Sequence, residues 1–514
     1  MLGASACDDP PRGLPLPSPP PQRGGVLRLL VTEPAGLDPA LSEDTYQWLL
    51  IEQIFDGLVS LDPELNVVPA LARTWTISRD GRTYHFTLRA DARFQNGRTV
   101  TADDVAWSFL RAARIPGGLA RDYVDRIVGG PEASAGRAAI IEGVRVEGKA
   151  ELIITLREPY APFLGALALP HLRVVPREEV EGREKAFARH PVGTGAFSLG
   201  EWGSDGRIVL VANETHWAGR PFLDRVEVLP DRTGADATTP FLRGEVDVAL
   251  LAKKDRERLP AGTNVVQRPE LGITCLGFNV SLPPVDDPRV RRAAALALDR
   301  DAIVAAGGSA AVSSRAITPV GMSGGSPHPV APDRDVVEAR RILADAGHRD
   351  GRGLQPLELW TDQDSVLAQG SMSVVARNLG EVGIPVRDRS TTWSRFSERV
   401  DAKKAPAYVI TFVADTPDRD SFLRALFHSR GADNYSSYAD LEVDQLLETA
   451  GHGMDPRARN RLYNSVEDRV GAANVIIPLF SASNTYALRA GLQGFALDPM
   501  GLFAFSRLSW ERPR

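Results

Sequence analysis

Cysteine is almost missing from this 514-residue chain: only Cys7 and Cys275 occur. One pair so far apart is no disulfide framework, and Cys275, inside Ile273-Thr-Cys-Leu-Gly-Phe278, reads as a small buried core residue. A basic excess is missing as well. The net charge is -6, which leaves no electrostatic footprint for nucleic acid. No segment of the body is apolar over the length that spans a bilayer, so a soluble body is expected.

Several catalytic signatures are absent. The eight histidines form no HExxH and no pair four apart on a helix, which argues against catalytic zinc and gives no metal site. Neither GxGxxG nor GxxxxGK[ST] occurs, so dinucleotide and P-loop phosphate binding lack their fingerprints. SxxK is missing too. One formal GxSxG exists, Gly321-Met-Ser323-Gly-Gly325. A nucleophile elbow needs a buried strand before it and a helix after it. The flanks here, Thr318-Pro-Val320 and Ser326-Pro-His-Pro329, read as loop, so a secreted serine hydrolase using Ser323 is the outlying alternative. Asp299-Arg300-Asp301 and Asp231-Arg232 lie beside element ends and read as structural. No catalytic residue and no cofactor is expected.

What is present is a mixture of short strands and punctuated helices. The length asks for two or three domains, and 43% apolar with 25% charged residues is ordinary for a globular protein. Val26–Val31 reads as a first strand. Residues 45–61 carry helical apolar spacing through Trp48, Leu49, Ile51, Ile54, Phe55 and Leu58. Residues 82–89 alternate as a strand, and Thr101 with Asp104 opens a helix. Strands are expected at 151–156, 207–211, 357–360, 408–413 and 475–479. Helices follow Asp287-Pro288 and Asp455-Pro456, the second running to about Val470, and another covers 333–346, ending at Gly347. The class is α/β or α+β.

The N-terminus has its own character. Leu2-Gly-Ala-Ser-Ala precedes Cys7 like the end of a bacterial lipoprotein signal, although the basic and most of the apolar parts of such a signal are missing. Residues 8–22 hold seven prolines. Such a segment extends as polyproline II at about 3.1 Å per residue. A lipidated Cys7 on a stiff spacer would hold the body clear of a membrane; the alternative is an incidental cysteine on an unstructured start.

One stretch carries the functional argument. The apolar run Tyr408-Val-Ile-Thr-Phe-Val413 ends in Ala414-Asp415, and no Lys or Arg follows before Arg419. A carboxylate at the end of a buried strand is costly unless a cation meets it. That cation can be a ligand amine. The local alternative is an Asp that caps the turn Thr-Pro-Asp.

Taken in order, several segments resemble the family 5 solute-binding proteins of ABC transporters, which handle peptides and, in relatives, nickel complexes. They are Thr32–Pro39 (TEPAGLDP), Ile54–Asp62 (IFDGLVSLD), Val68–Phe109, Glu158–Leu164 (EPYAPFL), Gly193–Phe197 (GTGAF), Asn213–Val228, Arg243–Leu250, Gly277–Asn279, Asp286–Val304, Ala339–His348, the Asp415 run and Tyr438–Ala450. The resemblance covers nearly the whole body.

It implies a type II periplasmic-binding-protein-like α/β fold: two lobes with a hinge, in three structural regions. Residues 1–23 would be the start and tether. Residues 24–57, 190–272 and 481–514 would form lobe one, with 58–189 inserted in it, and 273–480 lobe two. The crossings would lie near Leu271 to Thr274 and near Ser481.

The resemblance also implies that Asp415 pairs with a ligand α-ammonium, which favours the functional reading over the cap. Phe412 stands where many relatives carry Trp against the ligand, Trp393 matches a pocket aromatic, and Glu33 matches a cleft-edge contact with ligand backbone. Thr416 replaces the usual aromatic after the Asp. No Arg stands in the Asp-bearing strand to meet a ligand carboxylate; Arg395, Arg399 and Lys403 are nearby substitutes.

The expected partners are a peptide or peptide-like small molecule, an ABC permease, and a membrane through the lipid anchor, for a monomer on the extracytoplasmic side. The alternatives are a non-peptide solute (a metal chelate or an oligosaccharide) in the same fold, and a ligand-sensing module for another protein.

Overall fold

The computed structural model describes residues 21–231, 237–307, 310–322, 328–363, 365–414 and 416–512. Their organising element is a 13-residue strand, Ile476–Leu488. Its first half pairs antiparallel with Gly272–Phe278, from Gly277↔Ile476 to Thr274↔Phe480. Its second half pairs with Asn264–Pro269, from Pro269↔Ser483 to Asn264↔Leu488, and with Val248–Leu250. One strand therefore belongs to both lobes. It threads a 12-stranded sheet that runs from Val386–Thr391 at one edge to Phe197–Trp202 at the other.

The sequence pattern predicts a strand of only 475–479 here. The apolar run stops at Phe480, and Ser481, Ser483 and Thr485 look like loop. They are buried instead. Their backbone groups are taken by Ala311–Ser313 and Asn264–Pro269, which local sequence does not reveal.

Elsewhere the local signals agree with the structure. Val26–Val31 is a strand with the expected bounds, alternating half-buried and buried. The helix Ala102–Ala113 opens with the Asp104 carboxylate accepting the Thr101 backbone N–H at 2.8 Å. Asp287 and Asp455 each cap a helix that has Pro at its first position, Pro288–Ala297 and Pro456–Ala473. Asp299 caps Arg300–Ala306, and the buried Arg300 donates to the carbonyls of Pro478 (2.9 Å) and Pro332 (3.0 Å), so this charged triplet is structural.

One helix is shorter than its pattern. Apolar spacing predicts 45–61, but the helix is Thr45–Ile54. The Ile54 carbonyl accepts from Gly195 N at 2.8 Å and from Gln95 Nε2 at 3.2 Å, and the chain leaves as an extended segment. Phe55 and Leu58 stay buried in that extended segment.

A separate four-stranded sheet, in the order Ala72–Ile77, Thr83–Leu88, Glu151–Thr155, Val144–Glu147, forms a further region. Its core includes Tyr84, Phe86, Phe109 and Phe163. This region also touches lobe two. Leu65 lies in the same apolar cluster as Leu271 and Phe412, and Ala161 N donates to Gly451 O at 2.9 Å. From lobe one, Lys253 Nζ donates to the carbonyls of Val304, Ala305 (both 3.2 Å) and Gly307 (3.3 Å), at the carboxyl end of Arg300–Ala306. A cation belongs there by the helix dipole.

Lobe two holds a buried ionic pair, Arg419–Glu467, with Glu467 fully buried and also accepting Thr318 N at 2.8 Å. Arg419→Met strands that carboxylate. It is expected to cost about 3–5 kcal/mol, read as a drop in the denaturant midpoint, with part of the loss recovered in Arg419→Met/Glu467→Leu.

The loop 498–502 closes over the crossing. Pro499 O accepts Leu271 N at 2.9 Å, and the Asp498 carboxylate accepts Met500 N and Leu502 N, both at 2.8 Å. Burial pushes the Asp498 carboxyl up to about 7, with Glu52 adding to the rise and the two N–H bonds and Arg268 opposing it. The native state then holds a proton that the unfolded chain has lost between about pH 4 and 7. Stability contributed by this group is therefore present at acid pH and falls as pH rises through that window, by at most about 1.4 kcal/mol per pH unit. Asp498→Asn keeps the acceptor and should flatten the slope in thermal unfolding between pH 4 and 7; an unchanged slope refutes the assignment.

Candidate ligand cleft

In open α/β sheets ligands sit outside the carboxyl ends of the parallel strands. Here there are two such edges. In lobe one, Val26–Val31 runs parallel to Arg225–Pro230 and to Val248–Leu250, so Val31, Pro230 and Leu250 end together. In lobe two, Leu357–Asp362 runs parallel to Val386–Thr391 and to Ala407–Val413, so Asp362 and Thr391 end together and the third strand runs on past them to Val413. The crossing strand and Asn264–Phe278 join the lobes between these edges.

Each edge carries a cavity. That of lobe one is about 240 Å³, lined by Val31, Thr32, Tyr46, Asp231, Leu251 and Tyr486 among others. That of lobe two is about 120 Å³, lined by Thr274, Asp362, Trp393, Phe396, Ile410 and Thr411 among others. The Thr274 and Thr411 hydroxyls meet across the strands at 2.8 Å. Among the described residues no group of three or more His, Cys, Asp or Glu is arranged to hold a metal ion.

The residues singled out from sequence fall in different surroundings. Trp393 opens the helix Trp393–Asp401 just after the end of Val386–Thr391, is 55% exposed, and has its ring 5.7 Å from Phe396. Phe412 is only 7% exposed and stacks on Tyr435 at 6.1 Å in the lobe-two core. Strand alternation gives its neighbour the open position: Val413 is 64% exposed. Thr416 is buried, with Oγ1 2.7 Å from Ser421 Oγ.

Glu33 lies on the lobe-one edge, 3.7 Å from Arg189, and accepts from Trp202 Nε1 at 3.4 Å. Arg189 in turn sits over the Trp202 ring at 4.1 Å. Asp415, Cys7 and Ser323 lie outside the described residues. The residue before Asp415 is anchored at the lobe crossing: Ala414 N donates to Leu271 O at 2.8 Å.

Of the basic residues near the strand, Arg399 stacks over Trp360 at 5.0 Å and forms no ion pair among the described residues. The helix after the strand end, Arg419–Phe427, is capped by Asp418. Asp418 is held by Arg459 at 2.7 and 3.0 Å, and Arg459 reaches Tyr463 Oη at 2.8 Å. Tyr463 donates to the fully buried Asp420 at 3.1 Å, which Arg424 also meets at 2.9 Å. The sequence reading missed this network, since its members lie about 40 residues apart; the Arg spacing on Pro456–Ala473 is its only local trace.

The comparisons with known proteins agree with this geometry. The family model for bacterial extracellular solute-binding proteins, family 5, matches residues 66–434. The glutathione-binding protein GsiB of Salmonella paratyphi A is 27% identical, over 91% of either chain. The dipeptide-binding protein DppE of Bacillus subtilis is 26% identical, over 91% of this chain and 89% of its own. Among solved structures, the unliganded open form of the murein tripeptide-binding protein MppA superposes with a TM-score of 0.84 at 25% identity, covering 95% of this chain and 97% of its own. The oligopeptide-binding protein AppA of Bacillus subtilis, with a nonapeptide, gives 0.72 at 22% identity, covering 95% and 99%. A match over most of the body, on a two-lobed sheet with facing strand ends, places this chain among the bacterial extracellular solute-binding proteins of family 5.

Proposed function

We propose that this protein captures peptide-like solutes between its lobes and delivers them to an ABC permease, with Asp415 receiving the ligand's α-ammonium. The observation that carries the reading is the lobe-two strand end. Ala407–Val413 finishes at the carboxyl edge beside the crossing, its last residue is open, and the next carboxylate in sequence is Asp415. Relatives named for glutathione, dipeptides and di/tripeptides support the same ligand class.

The chemistry follows from a peptide's own groups. Its ammonium is the one feature common to all sequences, so a receptor for many peptides reads that charge and the backbone. Closing the lobes removes water from the ion pair, and a ligand that contacts both edges shifts the open–closed equilibrium toward closed. Trp393 and Val413 offer apolar surface beside the pair, and Glu33 offers an acceptor from lobe one. Cys7, lipidated and followed by the proline-rich spacer, would tether a monomer to the outer face of the membrane.

Losing one partner of such a desolvated pair costs about 3–5 kcal/mol. Asp415→Asn should therefore weaken binding of a di- or tripeptide by a factor of at least about 100 in calorimetry, with an unchanged melting temperature. Unchanged affinity would remove Asp415 from the site.

A further inference from the structure

Among the described residues, no side-chain partner meets the Glu270 carboxylate. It lies on the short link between Asn264–Pro269 of lobe one and Gly272–Phe278 of lobe two. Its backbone N–H donates to Ala482 O at 2.9 Å, on the other crossing. The next residues are registered against the strand end: Leu271 O accepts Ala414 N, and Gly272 pairs with Val413. Its side chain is half-buried and forms no hydrogen bond or ion pair among the described residues. Burial alone pushes its carboxyl upward, with no cation opposing the rise. Its charge is felt by Tyr486, whose ring lines the lobe-one cavity with Tyr46.

We propose that Glu270 is a second acidic contact in the cleft, selecting peptide-like solutes that carry an ammonium or guanidinium beyond the one assigned to Asp415. The proposal rests on the peptide reading above. Its physical basis is the cost of leaving a partly desolvated carboxylate unpaired, which closure raises further. Two cations close to the cleft are engaged elsewhere, Lys253 on three carbonyls and Arg189 on Glu33 and Trp202, and Arg399 is held over the Trp360 ring on the other lobe. A basic ligand side chain brings the missing charge from outside. A neutral side chain leaves Glu270 as it is, and an acidic one adds repulsion.

Calorimetry on the full chain tests this with tripeptides that differ at one side chain: Lys or Arg against norleucine and Glu, at the first and second positions. Wild type should bind a Lys or Arg peptide at least about tenfold tighter than its norleucine counterpart. Glu270→Gln should bring that ratio to within about twofold, by weakening the Lys and Arg peptides relative to norleucine, and should tighten the norleucine and Glu peptides, the Glu peptide most. The gain for the Glu peptide is a result that a misfolded variant cannot give. No basic preference in wild type, a preference that survives Glu270→Gln, or an equal loss for every peptide would overturn the proposal. Failure of wild type to bind any of the peptides would instead bring down the peptide reading itself, and this proposal with it.

Discussion

Everything at the cleft depends on one continuous strand. Ile476–Leu488 hydrogen-bonds to lobe two along its first half and to lobe one along its second, so both sheets share a backbone ladder. A ladder of this kind fixes which strand ends face each other. The partners change at Glu270–Leu271 on one crossing and, with Ala311–Ser313 paired alongside, at Ser481–Ala482 on the other. The facing edges, with Val31 and Leu250 on one side and Asp362 and Val413 on the other, follow from that pairing. The cleft is thus a consequence of sheet register and needs no dedicated loop architecture.

A hinge works only if the bodies it joins are stiff, and lobe two is stiffened by buried charge. Arg459, Asp418, Tyr463, Asp420 and Arg424 form a chain of hydrogen bonds between Arg419–Phe427 and Pro456–Ala473, with Arg419–Glu467 beside it. Such pairs contribute little net stability over an apolar core of the same shape, because desolvation offsets the attraction. Their value lies in geometry: each member removed leaves a charge uncompensated, so the two helices have one favourable packing. That packing fixes the helix Arg419–Phe427, which follows the strand end, against Pro456–Ala473.

Local chemistry made much of this readable in advance. Caps such as Asp287 and Asp455 announce their helices because the side-chain acceptor and the following proline act within a few residues. The strand Val26–Val31 shows its period of two for the same reason. The crossing strand was legible only to Leu479, since the partners of Ser481, Ser483 and Thr485 come from 169 or more residues away in sequence and no local pattern encodes them. At the site, the abrupt end of an apolar strand before an acidic residue was visible. Which of two neighbours faces outward was not: Phe412 is committed to Tyr435 in the core and Val413 is open, a choice set by the register with Gly272–Phe278. Thr416, which replaces the usual aromatic after the Asp, has its hydroxyl on Ser421.

The distribution of charge around the crossing argues for a ligand richer in positive than negative groups. Glu33 already has Arg189 and Trp202, whereas Glu270, on the link between the lobes, has no side-chain partner among the described residues. Arg399 has no carboxylate partner among the described residues, and it is held over Trp360. A zwitterion laid across the crossing would place its ammonium toward the strand end and its carboxylate toward that helix. On the proposed reading, the acid that selects an additional ligand cation stands on the same short link that joins the two lobes.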